Sequence, residues 1–375
     1  MQRGEKIAFE ILSATFNFGP RILPMKIALL HTRLLRKGGL ETRLFSYLEY
    51  LHAAGHSVTV VVGKVGKDAR VPDGVRVVRL PMWWVPSTWL HPVFDYFLGR
   101  VVARGNFDFV LSLTKSTHQD AILAAGNHPG FLRSRPDRRV RRKDRIMIEM
   151  ERRGFNHTPH VLACSQMMKD ELVEFFGTPA ENIEVLLPPT DTRRFNPGLK
   201  SRREEFRKKF GLDPDKKSFA FVSVSHKRKG LPLLLEVFRK LTHQPVELVI
   251  AGSPPEKKLP PNVKYLGFVR EVEELYAAAD VTVHPAGYEP YGQIISESIL
   301  CGTPVLISHM VGAKDVVSAR EGLVVQGFDV AEWAAAVMKM ATGEFDIPAD
   351  FAGRHGLRLE DHMARILAIA EKTNV

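Results

Sequence analysis

Two glutamates, Glu289 and Glu297, stand near the C-terminal end of the chain with Pro-Tyr-Gly between them. Glu289 follows an apolar run, residues 280–285, that predicts a buried strand, and Glu297 lies one to two turns into a predicted helix. The start of a helix offers unpaired backbone N–H groups to an anion, and carboxylates accept hydrogen bonds from sugar hydroxyls. A phosphate site beside a polyol site indicates a nucleotide sugar. The residues predicted at this helix start are Tyr291, Gly292 and Gln293.

A basic loop follows the first predicted strand of the second half of the chain. Its sequence is His-Lys-Arg-Lys-Gly over residues 226–230, and Arg228 and Lys229 would face the same strand ends as the glutamates. Departure of a nucleoside diphosphate leaves negative charge on phosphate oxygens, which fixed cations stabilise without a metal. The alternative is a solvated basic turn, because runs of charge are commonly surface features.

A third group, Gly38 and Gly39, lies between a predicted strand and a predicted helix. Glycines at such a place allow backbone N–H groups to approach a phosphate. The local sequence does not match GxGxxG, which argues against a dinucleotide oxidoreductase.

The sequence gives little support to metal or serine-nucleophile chemistry. Asp213-Pro214-Asp215 lies in a predicted turn, and the histidines lack the spacing of zinc sites. There is no GxSxG motif, and we expect Ser165 to cap a helix that runs through Phe176. The sequence therefore predicts a site without a metal or a cofactor.

The composition is that of an ordinary globular protein with an anionic partner. The chain has 375 residues, a formal net charge of +11 and two cysteines, Cys164 and Cys301. Few cysteines favour a reducing compartment, and the positive charge favours phosphorylated substrates, anionic membrane or nucleic acid. No apolar stretch has the length of a spanning helix. Residues 1–24 are predicted to be an N-terminal extension before the first true strand.

Short β-branched runs alternate with helical stretches from residue 25 onward, which predicts an α/β fold. A break near Pro189 to Pro197 separates two such series, and a cleft is expected at the carboxyl ends of both sheets. The predicted strands are 25–31, 57–63, 107–113, 160–165, 183–187, 218–224, 246–251, 264–266, 281–284, 304–307 and 323–325. The predicted helices include 40–54, 201–210, 230–241 and 358–372.

These motifs resemble those of the retaining nucleotide-sugar glycosyltransferases of family 4, whose Glu-x7-Glu block matches Glu289 and Glu297. The resemblance implies the GT-B fold, with two doubly wound Rossmann-like domains facing a deep cleft. It implies that Glu289 binds the donor sugar, that Glu297 binds the ribose, and that Lys229 and Arg228 hold the diphosphate. Arg228 is a substitute, because Val224 stands where the family usually has an arginine. The implied domains are 25–190 for the acceptor, with helix 358–373 packed back on it, and 191–357 for the nucleotide sugar.

The same resemblance implies a polar group in the first domain, close to the transferred sugar. Many relatives have a histidine here, which His118 would supply. The lipopolysaccharide core glucosyltransferase I group instead has a lysine and an aspartate, which resemble Lys115 and Asp120. We favour Asp120 over His118, with helix capping by Ser116 or Thr117 as the alternative without catalysis.

A basic run and an aromatic cluster in the first half predict a membrane or acceptor surface. Anionic lipid fits the run better than nucleic acid, because no nucleic-acid motif accompanies it. The aromatic cluster suits a membrane interface, with a hydrophobic core under a loop as the alternative. The residues predicted for this surface are Trp83, Trp84, Trp89, Arg138, Arg139, Arg141 and Arg142.

The resemblance as a whole leans toward the lipopolysaccharide core glucosyltransferase I group. It implies transfer of a hexose, expected to be glucose from UDP-glucose, to a lipid-linked glycan such as the lipopolysaccharide inner core. The expected location is cytoplasmic, peripheral on the inner face of the cytoplasmic membrane. Two alternatives are a GT-B sugar-nucleotide epimerase and a non-enzymatic basic scaffold at an anionic membrane.

Overall fold

The computed structural model describes residues 23–36, 38–135, 137–255 and 258–373. The predicted N-terminal extension, residues 1–24, lies outside this part of the chain apart from its last two residues. The chain divides into two compact units. Of the described residues, unit 1 contains those up to Leu187 together with those from Leu359 onward, and unit 2 is Pro188–Arg358.

The centre of unit 1 is a parallel sheet of seven strands in the order β3-β2-β1-β4-β5-β6-β7. Buried residues fill most positions of the inner strands, because a parallel sheet is covered on both faces. The strands are β1 (Lys26–Leu34), β2 (Ser57–Val65), β3 (Arg76–Arg79), β4 (Phe109–Ser112), β5 (Ala121–Ala124), β6 (His160–Ala163) and β7 (Ile183–Val185).

Helices cover both faces of this sheet. One core packs α1 and the last helix, α12, against the strands, and a second core packs α2 on the opposite face through Phe94 and Leu98. The helices of unit 1 are α1 (Gly39–Ala53), α2 (Leu90–Gly105), α3 (His128–Arg133), α4 (Arg142–His157), α5 (Gln166–Phe176) and α12 (Leu359–Thr373).

Unit 2 contains a parallel sheet of six strands in the order β10-β9-β8-β11-β12-β13. Its central strands are buried and largely apolar, as expected for a sheet between two helical layers. The strands are β8 (Lys217–Ser223), β9 (Val246–Gly252), β10 (Val263–Gly267), β11 (Val281–His284), β12 (Val305–Ser308) and β13 (Gly322–Val325).

The helices of unit 2 again form two layers. Trp333 and Phe238 anchor the packing of α10 and α7 on one face, and Phe206 and Leu275 anchor α6 and α8 on the other. The helices are α6 (Arg203–Phe210), α7 (Leu231–Lys240), α8 (Val272–Ala278), α9 (Gln293–Leu300), α10 (Val330–Thr342) and α11 (Phe351–Arg354).

Each sheet reverses its strand order once, between β1 and β4 in unit 1 and between β8 and β11 in unit 2. The loops that leave the two strands at such a reversal go to opposite faces, which opens a crevice at their carboxyl ends. In unit 2 the basic loop follows β8 and Glu289 follows β11. The reversal therefore brings the two strongest sequence motifs to neighbouring strand ends.

The predicted α/β class with two Rossmann-like domains is confirmed by this architecture. The expected role of Ser165 is also confirmed, because its side chain accepts a hydrogen bond from the Met168 backbone N–H at the start of α5. Strands β3 and β5 and helices α2, α3, α4, α8, α10 and α11 were absent from the prediction.

Candidate active site

The basic loop after β8 and the segment after β11 meet through a charged pair. Arg228 Nη1 donates a hydrogen bond to Glu289 Oε2 at 2.9 Å and another to the Tyr288 carbonyl at 3.1 Å. The two side chains are 25% and 16% exposed. Water therefore reaches the pair only in part, and the pair marks a charged site at the strand ends.

Two further groups surround the same carboxylate. Lys229 Nζ lies 3.9 Å from Glu289 Oε2, and His284 Nε2 lies 3.6 Å from it. Burial by itself would raise the pKa of Glu289, but His284, Lys229 and Arg228 outweigh it and lower that pKa to about 2. Glu289 is therefore ionised at neutral pH and available to accept hydrogen bonds from hydroxyl groups.

Burial also changes the pKa values of two groups beside Glu289. Burial lowers the pKa of Lys229, although Glu289 opposes the effect. Burial also lowers the pKa of His284 to about 4, so its ring is neutral at pH 7. Neither ring nitrogen of His284 has a hydrogen-bond partner among the described residues. His284 is thus a buried polar group facing this charged site with unused hydrogen-bonding capacity.

The close approach of the two segments depends on Gly230. This residue has φ +84°, in the left-handed region, and a Cβ atom there would lie 2.1 Å from the Pro285 carbonyl oxygen. A side chain at this position would push the basic loop away from the segment after β11. Glycine therefore permits the approach of Arg228 and Lys229 to Glu289.

The second glutamate, Glu297, lies about one turn from the start of α9. Tyr276 donates a hydrogen bond from its hydroxyl to Glu297 Oε2 at 3.3 Å. Burial raises the pKa of Glu297 to about 7, although Tyr276 and Arg194 oppose the rise. Glu297 is therefore more easily protonated than an ordinary glutamate, and a ligand that donates hydrogen bonds would favour the ionised form.

The predicted helix start lies at Gly292, directly before α9. Gly292 has φ +96° and directly precedes α9, so the first backbone N–H groups of this helix are aimed at the strand ends. Tyr291 turns its hydroxyl to Ser296 Oγ at 2.6 Å, which leaves the backbone as its means of contacting a ligand. Gln293 donates from Nε2 to the Pro189 carbonyl and to Thr190 Oγ1, each at 2.9 Å. In this conformation the Gln293 side chain holds the segment that enters unit 2.

In unit 1 the predicted glycines lie at the start of α1. Gly38 has φ +105°, and a Cβ atom there would lie 2.5 Å from Glu41 Oε2. Gly39 is the first residue of α1, and both glycines are exposed. The 15-residue helix α1 therefore begins with its backbone open to solvent.

The predicted position of Asp120 at the carboxyl end of a strand is wrong. Asp120 directly precedes β5, and its carboxylate accepts a hydrogen bond from the Val110 backbone N–H at 2.8 Å. The loop from Leu113 to Asp120 contains no helix, so it returns along the sheet and delivers Asp120 to the amino end of β5. Burial raises the pKa of Asp120. Its observed contacts tie two strands together.

The rival, His118, packs against α2 instead of the strand ends. Its ring would lie within 2.6 Å of a Cβ atom at Gly99, and its Nε2 is 3.9 Å from Asp95 Oδ2. Thr117 donates to Asp95 from both its backbone N–H and its hydroxyl. No helix among the described residues begins at Ser116 or Thr117, so the alternative of helix capping is wrong.

The aromatic cluster of the first half divides between surface and core. Trp83 is 86% exposed, Trp84 54% and Trp89 44%, whereas Phe94 is buried in the core under α2. The alternative of a hydrophobic core is therefore wrong for the three tryptophans. They form an aromatic surface on unit 1.

The arginines of the basic run differ in their contacts. Arg138 Nη2 donates to Asp144 Oδ1 at 2.8 Å, and Asp144 is buried. The guanidinium of Arg142 lies 5.6 Å from the centre of the Trp89 ring, close enough for a cation–π contact. Arg139 and Arg141 are exposed. Arg138 therefore anchors the run to α4, whereas Arg142 joins it to the aromatic surface.

Two residues of the site escaped sequence analysis. His284 was assigned to a strand, although a histidine at the carboxyl end of a strand beside Glu289 was a usable signal. Tyr276 lies at the end of α8 and contacts Glu297 only through the tertiary fold, so the sequence held no signal for it. Within the described part of the chain, no three His, Cys, Asp or Glu side chains lie together in a way that could hold a metal ion. None of the described helices combines the length and the apolar character that a bilayer crossing requires.

Comparisons with known proteins agree with this geometry. Residues 202–352 match the family profile of the glycosyl transferases group 1, and residues 37–194 match that of Glycosyltransferase Family 4. A probable transglycosylase of Burkholderia thailandensis is 32% identical over 350 residues, which cover 92% of this chain and 95% of that protein. The chain belongs to the GT-B glycosyltransferases.

Solved structures resemble the glycosyltransferase along nearly its whole length. WaaG, a glycosyltransferase involved in lipopolysaccharide biosynthesis, matches with a TM-score of 0.71 and 19% identity over 93% of this chain and 98% of that one. HepE of Anabaena, solved in complex with UDP-glucose, matches with a TM-score of 0.64 and 18% identity over 93% and 98%. At these identities the likeness establishes the fold of the glycosyltransferase.

Proposed function

We propose that this glycosyltransferase moves a hexose from a nucleotide diphosphate sugar to a lipid-linked glycan. The observation that carries the proposal is the cluster of Arg228, Lys229, His284 and Glu289 at the switch point of unit 2. The donor is UDP-glucose and the acceptor is the inner core of lipopolysaccharide. The HepE and WaaG structures support these choices, because one contains UDP-glucose and the other serves lipopolysaccharide biosynthesis.

The cluster suits one end of such a donor. Glu289 is ionised and accepts hydrogen bonds from sugar hydroxyls, which would replace its contact with Arg228. Arg228 is then free to turn to the diphosphate together with Lys229. Two cations and the start of α9 stabilise the negative charge that develops on the leaving phosphate, so the reaction needs no metal. Glu297 accepts hydrogen bonds from the ribose.

We also propose retention of configuration at the transferred carbon. The acceptor hydroxyl attacks the face from which the diphosphate leaves, and a leaving phosphate oxygen takes its proton. The bond to the diphosphate breaks as the bond to the acceptor forms. Fixed positive charge at the strand ends stabilises the departing oxygen, which carries the developing charge, and the stereochemical course itself is proposed from the resemblance to the retaining family.

The exposed aromatic and basic residues of unit 1 favour contact with a membrane that carries the acceptor. Trp83, Trp84 and Trp89 are exposed on unit 1, and Arg142 joins them to the exposed basic residues Arg139 and Arg141. Aromatic rings suit the headgroup region, and each basic residue near an anionic surface contributes about 1 kcal/mol. The enzyme is therefore peripheral on the cytoplasmic face of the membrane.

A donor panel tests the proposal first. UDP, GDP and ADP, each with and without glucose, are added and the melting temperature is followed, since a ligand of the folded state raises it. Transfer of labelled glucose to truncated lipopolysaccharide is then measured for the wild type and for Lys229→Ala. We expect Lys229→Ala to lose about 100-fold in kcat, as removal of one oxyanion-type donor does. Lys227→Ala removes an exposed lysine of the same loop and should keep full activity.

The outcomes separate the alternatives. A sugar nucleotide consumed at full rate without an acceptor would indicate an epimerase. No response to any nucleotide, with membrane binding retained, would indicate a basic scaffold. For the membrane itself, flotation with vesicles of phosphatidylglycerol and phosphatidylethanolamine should recover the wild type and much less of the Trp83→Ala, Trp84→Ala double variant. Equal recovery of both proteins would contradict the aromatic contribution.

A further inference from the structure

Unit 1 has a basic cluster at its own switch point, and of its members only Lys115 was singled out by the sequence. We define the basic cluster as Arg33, Lys115, Lys143, His31 and His91. His31 and Arg33 lie near the carboxyl end of β1, and Lys115 follows the neighbouring strand β4. His31 Nδ1 is 3.1 Å from the Leu113 carbonyl, which ties the two strand ends together. Ligands of open α/β sheets bind at this kind of position.

Two helices complete the surroundings of the cluster. His91 lies in the first turn of α2, and Lys143 in the first turn of α4. The contact of Arg142 with the Trp89 ring places the starts of these helices side by side. The first turn of α2 has no acidic residue and no side-chain cap. The positive end of a 16-residue helix is therefore uncompensated beside His91.

The two histidines of the basic cluster indicate that it binds a ligand. His31 is 6% exposed, and its Nε2 has no hydrogen-bond partner among the described residues. The Nδ1 of His91 is likewise buried without a partner in the described structure. Buried polar atoms normally find a partner, because an unpaired one costs free energy. Two such atoms at one switch point imply a partner that comes from outside the protein.

The positive charges around His91 indicate that this outside partner is an anion. Burial is the main reason that the pKa of His91 is lowered to about 4, and the positive charges of Lys115, Lys143 and Arg33 lower it further. Lys115 pairs with Glu151 at 2.9 Å. Arg33 and Lys143 are exposed and have no ion pair among the described residues. Glu41 also acts on His31, so the surroundings of the cluster include this carboxylate as well as Glu151. The three cations Arg33, Lys115 and Lys143 still leave a net positive charge beside the two histidines.

We propose that the basic cluster binds a phosphomonoester carried by the acceptor. A phosphate has acceptor oxygens for Arg33, Lys143 and an N–H of His91, and its negative charge suits the net positive charge of the cluster. His31 Nδ1 donates to the Leu113 carbonyl, so Nε2 of the neutral ring accepts a hydrogen bond from a protonated phosphate oxygen. This inference rests on the proposed transferase function, because it assigns the ligand to the acceptor of that reaction. It adds that the acceptor is phosphorylated, and that its phosphate positions the attacking hydroxyl.

Calorimetric titration of the full chain tests the proposal. Glucose 6-phosphate and inorganic phosphate are the probes, glucose is the uncharged match, and UDP reports the donor site. We expect the phosphates to bind and glucose not to bind. Arg33→Ala and Lys143→Ala should each weaken phosphate binding about tenfold, as the loss of one charge-assisted hydrogen bond does. UDP binding should stay unchanged in both variants.

A control and a competition complete the test. Arg104→Ala removes an exposed arginine from the far end of α2, more than a Debye length from His91, and should bind phosphate normally. Phosphate binding that is absent from the wild type, or unchanged in both cluster variants, would overturn the proposal. So would competition by UDP together with loss in Lys229→Met, because the phosphate would then sit in the donor site. Phosphate binding by the cluster without any UDP binding would sink the donor proposal and leave the phosphate site standing.

Discussion

Replacing Glu297 by glutamine should stabilise the protein at alkaline pH while it weakens donor binding. Glu297 is a partly buried carboxyl whose pKa is raised by burial from 4.5 to about 7. Folding therefore favours the protonated form, and the stability of the wild type falls as the pH rises from 4.5 to about 7. Glutamine keeps the shape of the side chain and never acquires the charge.

The magnitude follows from that difference in pKa. At about 1.36 kcal/mol per pH unit, complete burial would give about 3 kcal/mol at pH 8. Partial access of water reduces this value, and we expect about 2 kcal/mol, or about 4–8 °C in melting temperature. At pH 5 the folded wild type is largely protonated, so the gain should shrink below about 1 kcal/mol.

The assay is thermal unfolding of Glu297→Gln and wild type at pH 5 and pH 8. Glu204→Gln, an exposed position on α6, is the matched control and should match the wild type at both values. UDP binding to Glu297→Gln at pH 8 should be weaker by about tenfold, because the ribose loses a charged acceptor. A variant no more stable than wild type at pH 8, or equally stabilised at both pH values, would refute the reasoning.

Three further changes follow from the same contacts. Gly230→Ala should lower the free energy of unfolding by more than about 2 kcal/mol in urea, since its Cβ would meet the Pro285 carbonyl at 2.1 Å and φ is positive; a loss below about 0.5 kcal/mol would contradict this. The depressed pKa of Glu289 contributes stability above pH 4.5 that disappears as the pH falls toward 2, so Glu289→Gln should flatten the acid limb of a stability–pH curve by about 3 kcal/mol; an unchanged limb would argue against the pair. Asp144→Asn should cost about 2 kcal/mol in urea denaturation, because it weakens the contacts of this buried carboxylate with Arg138, His128 and the Arg141 backbone N–H, and a neutral outcome would mean that the carboxylate does not anchor the basic run.

The sequence predicted that the basic loop and Glu289 lie at neighbouring strand ends, because the signals for both are local. Glu289 and Glu297 keep their spacing on one strand end and one helix, and the lysines and arginine lie on one short loop. Periodicity then placed both segments at carboxyl ends of parallel strands. The direct pairing of Arg228 with Glu289 was not predictable, because it depends on the strand order that sets β8 beside β11.

The structure of unit 1 was harder to predict from the sequence, and the reason is physical. Strand β5 has only four residues, Ala121–Ala124, and the loop before it runs the length of the sheet without a helix. A strand of an α/β fold is usually followed by a helix. That expectation places Asp120 in a segment after the carboxyl end of β4, whereas it lies at the amino end of β5. The basic cluster was also missed, because His31, His91 and Lys143 belong to three elements that only the tertiary fold brings together.

Calorimetric titration of UDP and UDP-glucose into three proteins tests the central claim most directly. The claim is that Lys229 holds the diphosphate and Glu289 holds the sugar of one donor. Lys229→Met should weaken both ligands by about tenfold or more, whereas Glu289→Gln should weaken only UDP-glucose and leave UDP as tight or tighter. Equal affinities of wild type and Lys229→Met for both ligands, or of wild type and Glu289→Gln for UDP-glucose, would contradict the account.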